Sequence, residues 1–364
     1  MTADSYEKAG GLLRFEDLSG FRAERTEPVH INYKGYDIYA AAPNSQGAVL
    51  LLALKILEGL DLKSMGFNSP AYLHVLAEAM KLAFADRDQY IADPRFTDVP
   101  LSGLLSREYA AARRVLIHQD RAIRAMAPPG DPRQTRALLP GGRVVYEEER
   151  QEMRSETQAH GGQGETSSFS IADHFGNLVS VTHSVNGTFG SGLVVDGAGF
   201  VLNNRLPCFY LDDGNVNLLV PGKRTRHTIS PALALKDGKP FLAWNTPGGD
   251  NQPQAMLQAF LNVVEFGMNV QQAVEAPTIT STSFHDSVYP HPIAGTLLLP
   301  KVLADHVGAA LASKGHRVVV TPLQKPYGQQ PSGAGAVKMV RIDPRTGVFA
   351  AGVSPAKDDY AIGW

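Results

Sequence analysis

His160-Gly-Gly-Gln-Gly-Glu165 runs directly into Thr166-Ser-Ser-Phe-Ser-Ile171. The first half is glycine-rich, polar and without period. The second alternates like a β-strand. A cut of the peptide bond between Glu165 and Thr166 would open that strand with a residue carrying both a free amine and a hydroxyl. The hydroxyl can then attack while the amine takes its proton. An α-amino group titrates at about 7.7–8.0, so part of it is free base at neutral pH, unlike a lysine amine. Thr166 also reads as an ordinary β-branched strand opener. Ser167 and Ser168 are rival hydroxyls, but only the residue that becomes the terminus gains the amine.

Working outward, the strand at 168–172 and a second at 178–183 flank Asp173-His-Phe-Gly-Asn177, a five-residue hairpin loop. Further strands are expected at 199–203, 232–235 and 240–245, the last two joined by Asp237-Gly238. Strands at 336–342 and 348–353 flank Pro344-Arg-Thr-Gly347. A helix is expected from Gln254 to Glu265, closed by Gly267. Before residue 128, Ile31–Ala41 reads as two strands around Lys34-Gly35. Helices are expected over 47–60 and over 71–91, the second carrying Leu73, Leu76, Ala77, Met80, Ala83 and Phe84 at a 3.6-residue period. Residues 128–165, with Pro128-Pro-Gly-Asp-Pro132 and Glu147-Glu-Glu-Arg150, read as a mobile surface linker. The expected division is therefore 1–165 and 166–364. Strands, helices and strands in this order predict a layered α+β architecture.

The 364 residues, 43% hydrophobic, suffice for a sizeable core. Lys+Arg is 34 and Asp+Glu 36, so the net charge of −2 gives no reason to expect nucleic acid or a membrane surface. The longest apolar run, Ala48–Leu54, is broken by Lys55 and reads as a buried helix rather than a membrane span. No secretory signal is visible at Met1–Lys8. The single cysteine, Cys208, excludes an internal disulfide and a cysteine-based metal site, and leaves the compartment open. His285 and His291 lack a ligand spacing, so no metal is expected.

Three further groups could carry chemistry. Pro247-Gly-Gly249 lies between a strand and a helix, where backbone N–H groups could hold an oxyanion; a tight turn reads equally well. Ser184 and Asn186 stand at a strand end, as site residues or as turn formers. Arg205, Lys223, Arg224, Arg226 and His227 form a basic group; some could anchor an acidic substrate, with structural ion pairs the expectation for most.

These motifs, in this order, resemble the γ-glutamyltranspeptidase family of self-cleaving N-terminal nucleophile hydrolases. Ala77-Glu-Ala-Met-Lys-Leu-Ala-Phe-Ala-Asp-Arg-Asp88 with Ile91-Ala-Asp-Pro94 is similar to its large-subunit helix signature, and Pro43-Asn-Ser-Gln-Gly47 to a segment before a helix. Asn203-Asn204, Pro221-Gly-Lys-Arg224, Ser230-Pro231, Pro247-Gly-Gly249 and Gly363-Trp364 follow in family order. The resemblance implies a four-layer αββα sandwich built from both subunits of a self-cleaved heterodimer, with Glu165–Thr166 the cleavage site and no cofactor. It implies Thr166 as nucleophile, Gly248 and Gly249 as oxyanion hole, Ser184 in place of a threonine that hydrogen-bonds the nucleophile, and Asn186 in substrate binding. The substrate implied is a γ-glutamyl amide such as glutathione, with water or an amino acid resolving the acyl-enzyme.

The departures concern the acyl group. Arg205 and Cys208 stand where γ-glutamyl enzymes often have a glutamine and an aspartate for the substrate's α-amino group. His227 and Thr228 stand where they have paired serines. The segment 210–222 is short, so a long lid is not expected. These changes point toward an acylase on glutaryl or other dicarboxylic monoamides. The earlier large-subunit segment, with its arginine for the substrate carboxylate, has no counterpart in these residues. A remnant of the fold that cannot mature is the remaining expectation.

Overall fold

The computed structural model describes residues 7, 10–146, 154–155, 164–195, 199–321, 335–356 and 359–363, with backbone alone at 154, 155, 164, 165 and 195. The glycine-rich approach at 160–163 and the closing Trp364 lie outside the described residues.

Lys34-Gly35 turns β1 (Val29–Tyr33) into β2 (Tyr36–Ala40), with Lys34 and Gly35 both at positive φ. Ala40 of β2 pairs with Ala232 of β8 (Ala232–Lys236), and Asp237-Gly238 leads β8 into β9 (Lys239–Asn245). β13 (Lys338–Ile342) and β14 (Phe349–Val353) complete an antiparallel sheet of order β1-β2-β8-β9-β13-β14. Strands from before and after residue 166 thus share one sheet. A chain cut at 165 would remain interlocked through it.

One face of this sheet carries helices. The run 48–54 lies within α1 (Gly47–Leu57), all of whose residues are buried. Ser69 caps α2 (Pro70–Tyr90), its Oγ accepting from Tyr72 N at 3.1 Å, and Pro70 suits the first turn. α3 is the short Arg107–Arg114. α4 (Gln252–Val264) packs Phe260 in a stack on Trp244 of β9, ring centroids 5.3 Å apart.

The next residue, Asn245, points to the opposite face. There its Nδ2 donates to Phe169 O at 2.7 Å and to the hydroxyls of Ser170 and Ser180 at 3.0 and 2.9 Å. These belong to the hairpin of β4 (Gly164–Ala172) and β5 (Leu178–Gly187), beyond which the short strands β6 (Val194–Val195) and β7 (Phe200–Val201) pair with each other. The order is helices, sheet, hairpin. The hairpin turns its hydroxyls (Thr166, Ser168 and Ser170 opposite Ser184, Thr182 and Ser180) toward the sheet. Its apolar residues Phe169, Ile171 and Val179 lie outward, 43%, 49% and 44% exposed. No described helix covers that face.

Besides the two β layers that the resemblance implies, a second hydrogen-bonded sheet forms in segments where no strand is expected. β10 (Thr280–Ser281), β11 (Leu297–Pro300), β12 (Val318–Thr321) and β3 (Arg154–Ser155) pair in that order, with β11, β12 and β3 parallel. The mobile-linker expectation needs correction over 128–146, while 147–153 and 156–163 lie outside the described residues. Asp131 and Arg136 form a bridge, Gly130 N donates to the buried Asp86 carboxylate at 2.9 Å, and Val144 and Tyr146 pack on the core. Proline and glycine suggested solvent, but they serve close packing: a Cβ on Gly130 would lie 2.4 Å from Tyr109 Oη.

Candidate active site

β4 runs unbroken through the Glu165–Thr166 bond. The ladder is irregular there: Gly164 faces Gly187 and Thr166 faces Ser184, so β5 inserts one extra residue. Asn186 absorbs this bulge at φ 79°, a conformation asparagine tolerates. Thr166 is 7% exposed, and its hydroxyl donates to Ser184 Oγ at 3.0 Å. Ser184 Oγ also accepts from Asn186 N at 2.9 Å. Nucleophile candidate, hydroxyl partner and asparagine therefore meet within one turn of hairpin.

β9 ends at Asn245 beside the hairpin, and Pro247-Gly-Gly249 follows at once. Gly248 and Gly249 have φ of 122° and 57°, which a side chain would resist. Their N–H groups make no hydrogen bond among the described residues, although Gly248 is exposed and Gly249 half-buried. The loop then tightens into a 3-10 turn at Gly249–Asn251 and enters α4. Gln46 Nε2 donates to Gly249 O at 3.3 Å and Thr228 O at 3.4 Å, which ties two of the predicted site segments together.

The basic group divides as its chemistry requires. Lys223 donates to Val216 O at 2.6 Å, Arg224 pairs with Asp93 and Glu24, and Arg226 pairs with Asp88 at 3.2 Å. Arg205 has no carboxylate partner among the described residues, and its buried Nη1 has no acceptor. Burial draws its pKa below the usual arginine range, an effect opposed by the neighbouring Cys208 thiol. Burial pushes Cys208 itself up to about 11, so it is a neutral thiol. Burial, then the charges of Arg205 and Arg224, lower His227 to about 4, and its Nδ1 also lacks a partner. His227 is held by its backbone, its N–H donating to Asn44 O and its carbonyl accepting from Gln46 N, each at 3.1 Å. Arg205 follows Asn204, whose carbonyl accepts from Asn186 Nδ2 at 3.4 Å and whose Oδ1 accepts from Gly187 N at 2.8 Å. Thr166, Ser184, Asn186 and Arg205 are thus joined along one path, and His227, Thr228 and Gly249 along another through Gln46.

Sequence reasoning passed over Gln46, Arg87, Asp88 and Asp250, all in contact with these segments. The signal was present as the run of charge Asp86-Arg87-Asp88 directly after the apolar Leu82-Ala-Phe-Ala85. His285 and His291 prove to be supports: His285 O accepts from Arg87, and His291 Nε2 meets Phe209 O at 2.9 Å. A second cluster, His74, Glu78 and His316, has metal-ligand atom types close together. Hydrogen bonds to His118 O, Ile123 N and one another, with the Lys81 ammonium 2.9 Å from Glu78, account for it without an ion.

The class defined by these elements is a layered α+β fold, and solved structures share it. The cephalosporin acylase from Bacillus halodurans superposes with a TM-score of 0.80 at 32% identity, over 100% of this chain and 58% of that one. The chain belongs to the Gamma-glutamyltranspeptidase family, which it matches over residues 2–364. It is 34% identical over 314 residues to the Acylase ACY 1 proenzyme of Pseudomonas sp. (strain SE83), covering 86% of this chain and 49% of that protein. It is 32% identical over 362 residues to the Glutathione hydrolase proenzyme of Bacillus subtilis subsp. natto, covering 99% of this chain and 57% of that protein. The chain therefore spans about half the length of the curated relatives it matches. No described helix is long and apolar enough to cross a membrane.

Proposed function

We propose that the chain carries the catalytic part of a self-processing amidase with Thr166 as its nucleophile. The observation that supports this most directly is the Thr166 hydroxyl, buried at a strand irregularity and hydrogen-bonded to Ser184 Oγ at 3.0 Å. In maturation, Thr166 Oγ1 attacks the Glu165 carbonyl carbon, the Glu165–Thr166 C–N bond breaks, and the nitrogen takes the hydroxyl's proton. Water hydrolyses the resulting ester, leaving a Glu165 carboxylate and a free Thr166 amine. In turnover that amine accepts the Oγ1 proton as Oγ1 attacks the substrate amide. The Gly248 and Gly249 N–H groups, without a partner among the described residues, receive the oxyanion. The proton passes to the leaving amine, and water or an amino acid resolves the acyl-enzyme. The functional unit on this reading is a heterodimer of the cut pieces.

The acyl pocket favours a dicarboxylic monoamide over a strict γ-glutamyl substrate. Arg205 is a half-buried guanidinium with no carboxylate partner among the described residues, and a substrate carboxylate can pair with it. Cys208 and His227 are both neutral and offer no negative charge to a substrate ammonium. Asn186, His227 and Thr228 complete the pocket.

Gel electrophoresis and parallel assays test the reading. Two fragments, the smaller beginning at Thr166, with glutaryl-anilide hydrolysed faster than γ-glutamyl-anilide, are expected. A single inactive band at 39.2 kDa identifies a remnant of the fold and removes the proposal.

A further inference from the structure

The two glycines proposed to hold the oxyanion are poorly fixed by their own packing. Nothing lies within 4 Å of a Cβ built on Gly249, and Gly248 meets only Asn251 Cβ at 3.7 Å. A positive-φ loop of this kind keeps its N–H direction only if the atoms flanking it are held. They are held by a knot of hydrogen bonds centred on Arg87. Arg87 Nη1 donates to Asp250 Oδ1 at 2.5 Å and to Gln46 Oε1 at 3.0 Å. Asp250 directly follows the glycines, and Gln46 Nε2 in turn donates to the Gly249 carbonyl at 3.3 Å. Ser287 closes the same knot, its Oγ and N donating to the two Asp250 oxygens at 2.6 and 2.8 Å.

Arg87 itself has little freedom. It is 1% exposed, in the last turn of the 21-residue helix α2. Its Nε donates to Asp88 Oδ1 at 2.9 Å and its Nη2 to His285 O at 2.6 Å. The guanidinium carbon lies 4.6 and 5.3 Å from the ring centroids of Phe84 and Phe284, which stack on each other. Asp88 also pairs with Arg226, so two guanidinium groups and the carboxylates of Asp88 and Asp250 form a neutral, buried set. A planar fork with separate donors is what this geometry uses, and an ammonium cannot reproduce it.

We infer that Arg87 is a positioning residue for the reaction: it sets the direction of the Gly248 and Gly249 N–H groups through Asp250 and Gln46. This rests on the reading of those glycines as the oxyanion hole. The same N–H groups would serve the Glu165 carbonyl in maturation and the substrate carbonyl in turnover, so both steps depend on Arg87.

The test compares wild-type protein with Arg87→Lys and Gln46→Met, measuring the rate of chain cutting, kcat and KM per cut chain, and the melting midpoint. In Arg87→Lys, kcat and the cutting rate are expected to fall together, by about tenfold to a hundredfold, with KM within about twofold. Gln46→Met, which removes the contacts to Gly249 and Thr228 but leaves the Arg87–Asp250 pair, should lower both in the same ratio to a smaller extent. A purely structural role would lower the midpoint and leave kcat per cut chain unchanged, and that result overturns the inference. If Arg87→Lys shows no cooperative melt, Gln46→Met decides by the same criterion. If wild-type protein neither cuts nor hydrolyses, the parent reading fails, and this one with it.

Discussion

Thr166 and Ser184 face each other across the β4–β5 ladder, and the hydroxyl of the first donates to the hydroxyl of the second at 3.0 Å. Ser184 is therefore the group that orients the Thr166 oxygen before any cut. Thr166→Ala is expected to leave one band at 39.2 kDa with no amidase activity. Ser184→Ala removes the hydrogen bonds from Thr166 and Asn186; loss of the first, worth about 1 kcal/mol, should slow cutting and turnover each by roughly fivefold. Unimpaired cutting in Thr166→Ala, followed by N-terminal sequencing of the fragments, would refute the assignment.

Arg205 and Cys208 set the acyl preference. Cys208→Asp supplies the missing counter-charge, which should compete with a substrate carboxylate and attract a substrate ammonium. The ratio of glutaryl- to γ-glutamyl-anilide hydrolysis is expected to drop by about ten- to a hundredfold, the worth of one charge-assisted hydrogen bond. A ratio unchanged by this substitution places the acyl carboxylate elsewhere.

Gly130 tests the packing of the former linker. In Gly130→Ala the new Cβ would lie 2.4 Å from Tyr109 Oη and 2.9 Å from Arg113 Cδ. Overpacking of this kind costs about 1–3 kcal/mol, so the melting midpoint should fall while KM stays near its wild-type value. An unaltered midpoint would mean that residues 128–146 are not bound to the core as described.

Acid should destabilise the protein earlier than carboxylates alone would. His74 Nε2–H donates to the His118 carbonyl at 2.7 Å, so neutral His74 presents a bare Nδ1, which accepts from His316 Nε2–H at 2.8 Å. Burial, the leading cause for each, lowers the pKa of His74, His316 and His227 in the folded chain. The unfolded chain takes up protons below about 6.5 while the folded one resists, so stability is retained above that pH and lost as pH falls through it. His227 alone, at about 4 when folded, accounts for up to about 3 kcal/mol across that window. Urea midpoints at pH 7.5 and 5 measure this, and equal midpoints would contradict it.

Local chemistry made much of this chain legible. Lys34-Gly35, Asp237-Gly238 and Pro344–Gly347 marked hairpins that the sheet contains, and the 3.6-residue apolar period placed both ends of α2 within one residue of Pro70 and Tyr90. The second sheet escaped notice because its strands have two to four residues and pair in parallel with distant segments, leaving no local period. Residues 128–146 were misread because their burial is carried by glycine, proline and backbone groups, which a hydrophobic pattern does not register.

The order of Thr166, the Gly248-Gly249 pair and the basic group was set along the chain, because turn geometry, a hydroxyl at a strand start and charge are properties of the residues themselves. Which charges were already spent was not. Arg226 finds Asp88 on α2, far away in sequence, while Arg205 finds no carboxylate among the described residues. Arg87 reaches two loops that no spacing connects to it. Folding alone decides such pairings, because charges interact through space and the partners come together only when the sheet and helices pack.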